Sequence, residues 1–447
     1  MTKSLTSGSP FKLILNFAIP FLLVQVFQQI YNIADTLIVG RILGTNAMAA
    51  VGSTGSLAWL TIAIPSSLGL GFSMLTAQFF GAKNEKGVKK SYSNSFVMTF
   101  AISTIISAIG TIFLFDILKI FQFPDEIISD TYSYFIWITL GILPNGLFLL
   151  NSNMLRALGV SKIPTLLSIL SCVLNIILDI VCIGIFKMGT AGAGFATFIS
   201  QIGACVICHI YLFGNFPELR FSYKDLGLNK DIAVKLLKLG IPVAVFDVVN
   251  ASGGVIGQYA TNYMGIELVT ASTVANKVLS FMYTPLFAIG SSLTVYTAQN
   301  YGAKEFKRIK QGVNSSIIMK LLWNVVMIVT ALLLSDILCS FVGSTSDEYI
   351  LKNAKYYLVM NCGCSVFLSA ILVYRSPLQA CGFNTAPVIS SFAELSAKLI
   401  CAFYIVKVAG YHGVVLLNPL TWLFAGIVNM IGYYIFLHKI KKPAATS

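Results

Sequence analysis

Charged side chains are scarce in this chain, which contains 447 residues but only 11% Asp, Glu, Lys and Arg. Apolar side chains make up 56%, more than one or two soluble domains of this length could bury. The composition therefore argues against a water-soluble protein. Because one bilayer crossing takes about 20 residues, the length leaves room for roughly a dozen transmembrane helices and for no large soluble domain.

Histidine is also rare, and His209, His412 and His438 are far apart, so no metal or nucleophile constellation is expected and an enzyme is the least expected class. The nine cysteines lie mostly in apolar runs, where cysteine acts as a small hydrophobe rather than in a disulfide framework. Cys205 and Cys208 with His209 match a haem-attachment spacing, but they lie inside an apolar run, and we interpret the match as chance. No cofactor and no resident metal are expected.

Twelve long apolar runs predict transmembrane helices. They lie at about residues 13–39, 47–80, 91–115, 130–155, 163–186, 189–213, 234–263, 268–300, 311–340, 349–376, 386–408 and 411–438. The first run is too long for a signal-peptide core and no small-residue cleavage site follows it, so we expect it to be retained as a span. Prolines within five of the runs remove a backbone donor and predict bent helices around a cavity. These are Pro20, Pro65, Pro144, Pro242 and Pro285.

Basic residues concentrate in alternate loops. With the N-terminus inside, 20 of the 30 Lys and Arg residues fall on the cytoplasmic side, 6 on the opposite side and 4 within spans. This bias follows the positive-inside rule, and an even number of spans places both termini in the cytoplasm. The formal charge of +13 is thus explained by membrane topology, and no nucleic-acid partner is expected.

The two halves of the sequence repeat. Ile19-Pro20 recurs as Ile241-Pro242, and Gly81-Ala82-Lys83 recurs as Gly302-Ala303-Lys304, at offsets of 222 and 221 residues. A duplicated six-span unit explains this repeat. Since six is even, both copies enter the membrane from the same side, which places their symmetry axis along the membrane normal with a cleft between the copies.

The repeat predicts an N-lobe at residues 1–213, a polar cytoplasmic linker at 214–233 and a C-lobe at 234–447. The predicted fold class is therefore an all-α integral membrane protein, with twelve transmembrane helices in two six-helix lobes related by a pseudo-two-fold axis along the membrane normal.

Acidic side chains inside two N-lobe spans are the strongest functional signal, because ionised groups in hydrocarbon cost several kcal/mol. On the first helix, polar residues recur every three or four positions and form one stripe: Gln25, Gln28, Asn32 and Asp35. On the fifth helix Asn175 and Asp179 are one turn apart, and the sixth presents Thr197 among small residues.

At about 1.5 Å of rise per residue, Asp35, Asp179 and Thr197 lie roughly 6, 10 and 12 Å below the outer membrane boundary. Two carboxylates in one low-dielectric pocket disfavour joint ionisation, so at least one should keep its proton and the two should titrate as a coupled unit. We interpret these three residues and Asn175 as a proton or sodium site. The structural alternative is that Asp179 merely accepts a hydrogen bond from Asn175 and that Asp35 is hydrated.

Polar residues on the seventh and eighth helices extend the predicted substrate cavity into the C-lobe. The predicted cavity residues are Gln25, Gln28, Asn32, Asp247, Asn250, Gln258, Asn276 and Lys277. An ion pair between Asp247 and Lys277 is the alternative interpretation of those two. Glu394 and Lys398, four residues apart, predict a local ion pair, and Arg375 is expected to extend to the membrane surface.

These residues resemble the multidrug and toxic compound extrusion (MATE) family. The resemblance is carried by Tyr31-Asn32-Ile33-Ala34-Asp35-Thr36, Gly40-Arg41, Gly81-Ala82-Lys83-Asn84, Leu155-Arg156-Ala157-Leu158-Gly159 and Asn175 with Asp179. It extends over the whole chain. It implies twelve spans in two lobes, a prokaryotic plasma-membrane transporter, and export of cationic or amphipathic compounds in exchange for protons or sodium.

The resemblance to the prokaryotic branch with an N-lobe coupling site implies that Asp35, Asn175, Asp179 and Thr197 bind the coupling cation. Protonation there is accompanied in that branch by rearrangement of the first helix. Branches with acids on helices seven and ten would need carboxylates near Asn250 and Ser369, which this chain lacks, although Asp247 lies one turn from the first of these positions. A C-lobe sodium site is therefore not expected.

The leading hypothesis is a secondary antiporter that works as a monomer in the lipid bilayer on small organic cations or amphipaths. A flippase for a lipid-linked or other anionic lipid is the alternative, but it would prefer a cleft with several Arg or Lys residues, and only Lys277 and Arg375 are candidates. A symporter of the major facilitator fold lacks its charged signature between Phe80 and Ser91.

Overall fold

The computed structural model describes residues 4–222, 226–343 and 347–441. These residues are almost entirely helical, about 90%, and contain no strand. The helices follow from long apolar runs without the alternating pattern of a half-buried strand.

The first part of the chain forms eight α-helices and a π-helical turn. These are α1 (Pro10–Leu43), α2 (Thr45–Ser53), α3 (Gly55–Gly81), α4 (Glu85–Ile112), α5 (Leu114–Ile120), α6 (Asp125–Ala157), α7 (Lys162–Asp179), the π turn Ile180–Ile185 and α8 (Thr190–Asn215). A short 3₁₀ helix, Pro217–Leu219, follows.

The second part repeats this arrangement with longer, less interrupted helices. It comprises α9 (Lys230–Asn262), α10 (Ile266–Gly302), α11 (Phe306–Gly343), α12 (Glu348–Gly363), α13 (Ser365–Ala380), α14 (Thr385–Ile400), the π turn Cys401–Ile405, α15 (Val406–Ala409) and α16 (Tyr411–Lys441).

Within the described ranges, 11 helices are long and apolar enough to cross a membrane. The helix α9, with 33 residues, covers the predicted run at 234–263.

Three of the predicted spans contain a break: the run at 91–115 is interrupted near its end, at Phe113, and two others are interrupted in their interior. The run at 47–80 is interrupted at Thr54, whose Oγ1 donates to the carbonyl oxygen of Val51 at 2.6 Å. Small and polar residues surround this position and disfavour a continuous helix. The run at 349–376 is interrupted at Cys364, directly after Gly363. Both segments remain long enough to span when the two pieces are taken together.

By its internal contacts the chain divides into two compact units. Unit 1 contains Leu23–Ala244, and unit 2 contains Leu5–Leu22 together with the chain from Val245 onward. The helices α1 and α9 are therefore each divided, two residues after Pro20 and Pro242. The predicted N-lobe contained residues 5–22 and the predicted C-lobe contained residues 234–244. The prediction followed chain order, whereas the two units are defined by packing.

Hydrogen bonds show why residues 5–22 belong to unit 2. The Leu5 amide donates to Gln299 Oε1 at 2.8 Å, and Asn300 Nδ2 donates to the Leu5 carbonyl at 3.2 Å. Arg308 Nη2 donates to the carbonyl of Gly8 at 3.0 Å. The segment before α1 is thus fixed to α10 and α11 of the same unit.

A close approach of α3 and α9 fixes residues 230–244 in unit 1. A Cβ on Gly71 would overlap the backbone of Gly240, so the two helices touch through glycine. Gly71→Ala is expected to lower the free energy of unfolding by about 1–3 kcal/mol, because backbone cannot yield as a side chain can. Thermal unfolding of the purified protein in detergent measures this. Gly52→Ala is the control, because a Cβ there meets nothing within 4 Å; equal losses would contradict the close approach.

The sequence repeat is reproduced in local geometry. Lys83 and Lys304 both have a left-handed backbone, with φ of 55° and 61°, and each donates its amide to the carbonyl three residues before it at 3.0 Å. Each residue follows the end of a helix in the left-handed conformation, which glycine adopts most often at this position. The π turns that follow α7 and α14 also begin 221 residues apart, at Ile180 and Cys401.

Candidate functional site

The helix α1 contributes one buried acid to unit 1. Asp35 is only 5% exposed, whereas Gln28 and Asn32 of the same predicted stripe are exposed and Gln25 is half-buried. The four side chains of the predicted stripe therefore differ in their exposure to solvent. Only its last member, Asp35, is enclosed by the surrounding helices of unit 1.

The end of α7 contributes a second acid and an amide. Asp179 is 0% exposed and Asn175 is 2% exposed. Asp179 is the last residue before the π turn Ile180–Ile185, where the helix accommodates an additional residue per turn. Such π turns are frequent at functional sites because they change the direction of the following side chains.

The helix α8 contributes Thr197, whose Oγ1 atom is contacted by side chains of two other helices. Asn175 Nδ2 donates to Thr197 Oγ1 at 3.1 Å, and the Tyr31 hydroxyl lies 3.1 Å from the same oxygen. Tyr31 precedes Asp35 by one turn on α1. A connected polar network therefore links α1, α7 and α8 within unit 1.

The two carboxyl groups lie next to each other in this network. Asp35 and Asp179 interact directly, and the Tyr134 hydroxyl of α6 also lies beside Asp35. Among the described residues, neither carboxyl oxygen of Asp179 nor Oδ1 of Asp35 has a hydrogen-bond partner. The Oδ1 atom of Asn175, one turn before Asp179, has none either. Four buried acceptor atoms of this network thus have no donor within hydrogen-bond distance.

This arrangement is chemically suited to a small cation. Buried acceptors without donors are unfavourable, and two adjacent buried carboxylates also repel each other. A proton on one carboxyl would remove the repulsion and supply a donor. The donor set consists of oxygen atoms only, from Asp35, Asp179, Asn175 and Thr197, which also suits a hard cation such as sodium.

Tyr31 and Tyr134 were not predicted as members of the site. Tyr31 had a usable signal, since it lies one helical turn before Asp35 and therefore on the same face. Tyr134 had none, because its position beside Asp35 depends on how α6 packs against α1. The role of the four predicted coupling residues stays a prediction, although the structure brings all of them together.

The predicted cavity residues of unit 2 are less enclosed. Asp247 and Asn250 are half-buried, and Gln258, Asn276 and Lys277 are exposed. Gln258 Nε2 donates to Asn262 Oδ1 at 2.8 Å, within α9. The role of these residues as substrate contacts stays a prediction.

Two sequence-based interpretations of the charges in unit 2 were wrong. The ion pair between Asp247 and Lys277 does not form in the part of the chain that the structure describes; Asp247 instead lies within electrostatic reach of Arg375. Arg375 does not extend to the surface, since it is 4% exposed and its guanidinium lies 3.1 Å from the ring centroid of Phe246. The guanidinium of Arg375 thus makes a cation–π contact inside unit 2 instead of reaching the membrane surface.

The predicted ion pair between Glu394 and Lys398 is confirmed. Lys398 Nζ lies 3.0 Å from Glu394 Oε1, and both side chains are 5% exposed. The pair is therefore buried rather than solvated, which makes its energetics sensitive to the loss of one partner.

Comparison with known proteins gives a family assignment. The MatE family model matches residues 20–181 and 242–404, which are the two halves of the repeat. A probable multidrug resistance protein of Bacillus subtilis, YoeA, is 29% identical over 439 residues, which cover 95% of this chain and 94% of that protein. An FAD transporter of Shewanella oneidensis is 23% identical over 427 residues, with 93% and 92% covered.

Solved structures share the fold. A crystal structure of MATE in the bent conformation matches with a TM-score of 0.92 at 20% identity, covering 99% of this chain and 98% of that one. This likeness confirms the predicted fold class, an all-α membrane protein with twelve transmembrane helices in two lobes. The matched halves, the common fold and the continuous coverage lead to one conclusion: the chain belongs to the MatE family of multi-pass plasma-membrane transporters.

Proposed function

We propose that the protein is a multidrug efflux antiporter, which exports cationic or amphipathic small molecules in exchange for protons or sodium ions by alternating access. The observation that carries this proposal is the buried pair Asp35 and Asp179, with carboxyl oxygens that lack donors. Relatives described as multidrug resistance and multidrug export proteins support the substrate class.

In the proposed cycle, the coupling cation enters from outside and neutralises the acid pair. Binding there favours the conformation that releases substrate outward, because a ligand shifts an equilibrium toward the state that it binds more tightly. Asn175, one turn before Asp179, is fixed by its hydrogen bond to Thr197 and contributes an amide oxygen to the proposed cation site. Substrate loads from the cytoplasm or the inner leaflet, and the distribution of Lys and Arg supports cytoplasmic termini.

The proposal is tested with purified protein in liposomes that contain ethidium, a fluorescent organic cation. A proton gradient and a sodium gradient are imposed in separate arms, with gradient-collapsed liposomes as the control. We expect one gradient to accelerate ethidium movement against its own gradient. Equal rates in all arms would contradict antiport, and the arm that accelerates transport identifies the coupling ion.

An anionic substrate is the second candidate. Arg375 is buried, and its Nη1 has no hydrogen-bond partner among the described residues, which favours recognition of a carboxylate or phosphate. A relative described as an FAD transporter supports the same substrate class. This candidate also includes the lipid flippase considered from the sequence. Replacing ethidium with FAD in the same liposomes separates the two candidates, because a cation exporter would leave FAD inside.

A further inference from the structure

Unit 2 contains a buried lysine that the proposed cycle does not use. Lys320 lies on α11, about 21 Å along the helix from Phe306 if each residue rises 1.5 Å. It is 0% exposed, and its Nζ has no hydrogen-bond partner among the described residues. An ammonium group at this depth would need acceptors or a counter-ion to offset its lost hydration.

The amine of Lys320 has polar neighbours, but none of them is hydrogen-bonded to it among the described residues. A Cβ built on Gly290 would lie 3.6 Å from Lys320 Nζ and 3.7 Å from Ser376 Oγ, so the amine lies against α10 and close to α13. Ser376 Oγ donates to the Gly290 carbonyl at 3.1 Å, and one turn further along α11 Asn324 Nδ2 donates to Ser369 Oγ at 3.0 Å. One turn before Lys320, Ser316 Oγ is buried and has no hydrogen-bond partner among the described residues either.

Among the residues that the structure describes, no acidic side chain faces the amine from the helices packed against α11. The titratable groups on α10, α12 and α13 have contacts or positions elsewhere in unit 2, although the Tyr283 hydroxyl has no hydrogen-bond partner in the described part of the chain. Tyr283 packs on Trp422, Tyr296 donates to the Arg308 carbonyl, Tyr357 contacts Asn276, Cys362 contacts Met282, Tyr374 packs on Tyr433, Arg375 lies on Phe246 and Lys277 is exposed. Lys320 therefore lies in a buried layer without an acid to pair with among the described residues.

The enclosure also limits what Lys320 could bind. With no exposed surface at its side chain, Lys320 is closed to an organic anion that would enter from solvent. A proton needs no additional volume. The ligand that fits this position is thus a proton on the amine nitrogen.

We propose that Lys320 is a second proton-binding site of the transporter, located in unit 2 and separate from the acid pair of unit 1. In the conformation described, the amine is neutral, so no charge is placed in the buried layer. When α10, α11 and α13 loosen in the transport cycle, the Nζ lone pair accepts a proton, and repacking releases it. This inference rests on the proposed antiport, because it adds one proton to the exchange.

The first test counts protons per exported cation in liposomes, from the proton gradient at which net ethidium flux reverses. Lys320→Met, which keeps the length and removes the amine, is expected to retain gradient-driven efflux but to exchange about one proton fewer per cation than the wild type. Lys407→Met removes an exposed lysine of the same unit and is the matched control. An unchanged proton count in Lys320→Met would overturn the proposal.

The second test does not depend on transport. If the amine is neutral in the packed state, Lys320→Met should have a melting temperature in detergent at or above that of the wild type, because an apolar isostere suits the layer. Lys320→Arg forces a permanent charge into the same layer and should melt at a clearly lower temperature. The opposite order would show a charged, paired lysine and overturn the proposal. If the wild type shows no ion-driven efflux, the proposed function is wrong. The order of the melting temperatures still tests whether the amine of Lys320 is neutral.

Discussion

Asp179→Asn is expected to reduce gradient-driven ethidium efflux by about 5- to 150-fold, which corresponds to the loss of a coupling free energy of roughly 1–3 kcal/mol. Asparagine keeps the volume of the side chain but cannot release a proton or carry a negative charge. The residue is 0% exposed, and Asp35 is the acid that lies beside it among the described residues, so the variant leaves the site with a single carboxyl group. The measurement is the initial efflux rate from liposomes under a proton or sodium gradient, normalised to the amount of inserted protein.

The matched control is Asp116→Asn, which removes an exposed acid from the same unit and is expected to leave efflux unchanged. Asp35→Asn should reproduce the loss, and the double variant Asp35→Asn/Asp179→Asn should be little worse than either single variant. Such non-additivity is expected of residues that act as one unit. Full efflux in Asp179→Asn would remove the coupling role from the pair, and additive losses would assign the two acids to separate steps.

Glu394→Gln is expected to lower the free energy of unfolding by about 3–5 kcal/mol, because it leaves the Lys398 ammonium buried without its counter-ion. Lys398 lies 3.0 Å from Glu394, and both side chains are 5% exposed. Its amine also packs against Gly253 of α9, where a Cβ would overlap it. The side chain therefore has no free path to water. Thermal or denaturant unfolding of the purified protein in detergent measures the effect.

The double variant Glu394→Gln/Lys398→Met should recover most of this loss, because it removes the unpaired charge as well as its partner. The second ion pair of unit 2 provides the control. Lys355 and Asp336 are 2.7 Å apart but are 41% and 65% exposed, so Asp336→Asn should cost no more than about 1 kcal/mol. Equal losses at the two pairs would show that burial does not govern the Glu394 site.

Much of the fold could be predicted from the sequence because membrane burial leaves a strong composition signal. The apolar runs, the duplicated Gly-Ala-Lys turns and the even span count all follow from local patterns. The breaks at Thr54 and Cys364 are less visible, since single residues between two apolar helices hardly change the mean hydropathy of a run. The division of α1 and α9 between the two units could not be predicted, because it depends on contacts such as that of Gly71 with Gly240.

The candidate site, too, could be predicted only in part from the sequence. Asn175 and Asp179 are neighbours by helical periodicity, and the sequence alone brings them together. Tyr134 and Lys320 have no such signal, because which face of α6 or α11 turns inward is set by packing of separate helices. Arg375 is an example: its position near the inner end of its predicted span suggested that it reaches the membrane surface, whereas its guanidinium lies on the ring of Phe246 of another helix.

The two π turns separate helix distortion from acid chemistry. Ile180–Ile185 and Cys401–Ile405 occur at equivalent places in the two halves, so the distortion belongs to the repeated unit itself. Asp179 precedes the first turn, but Ile400 precedes the second. A π turn alone therefore does not make a cation site in this fold, and the half that lacks the acid keeps only the change in helix direction.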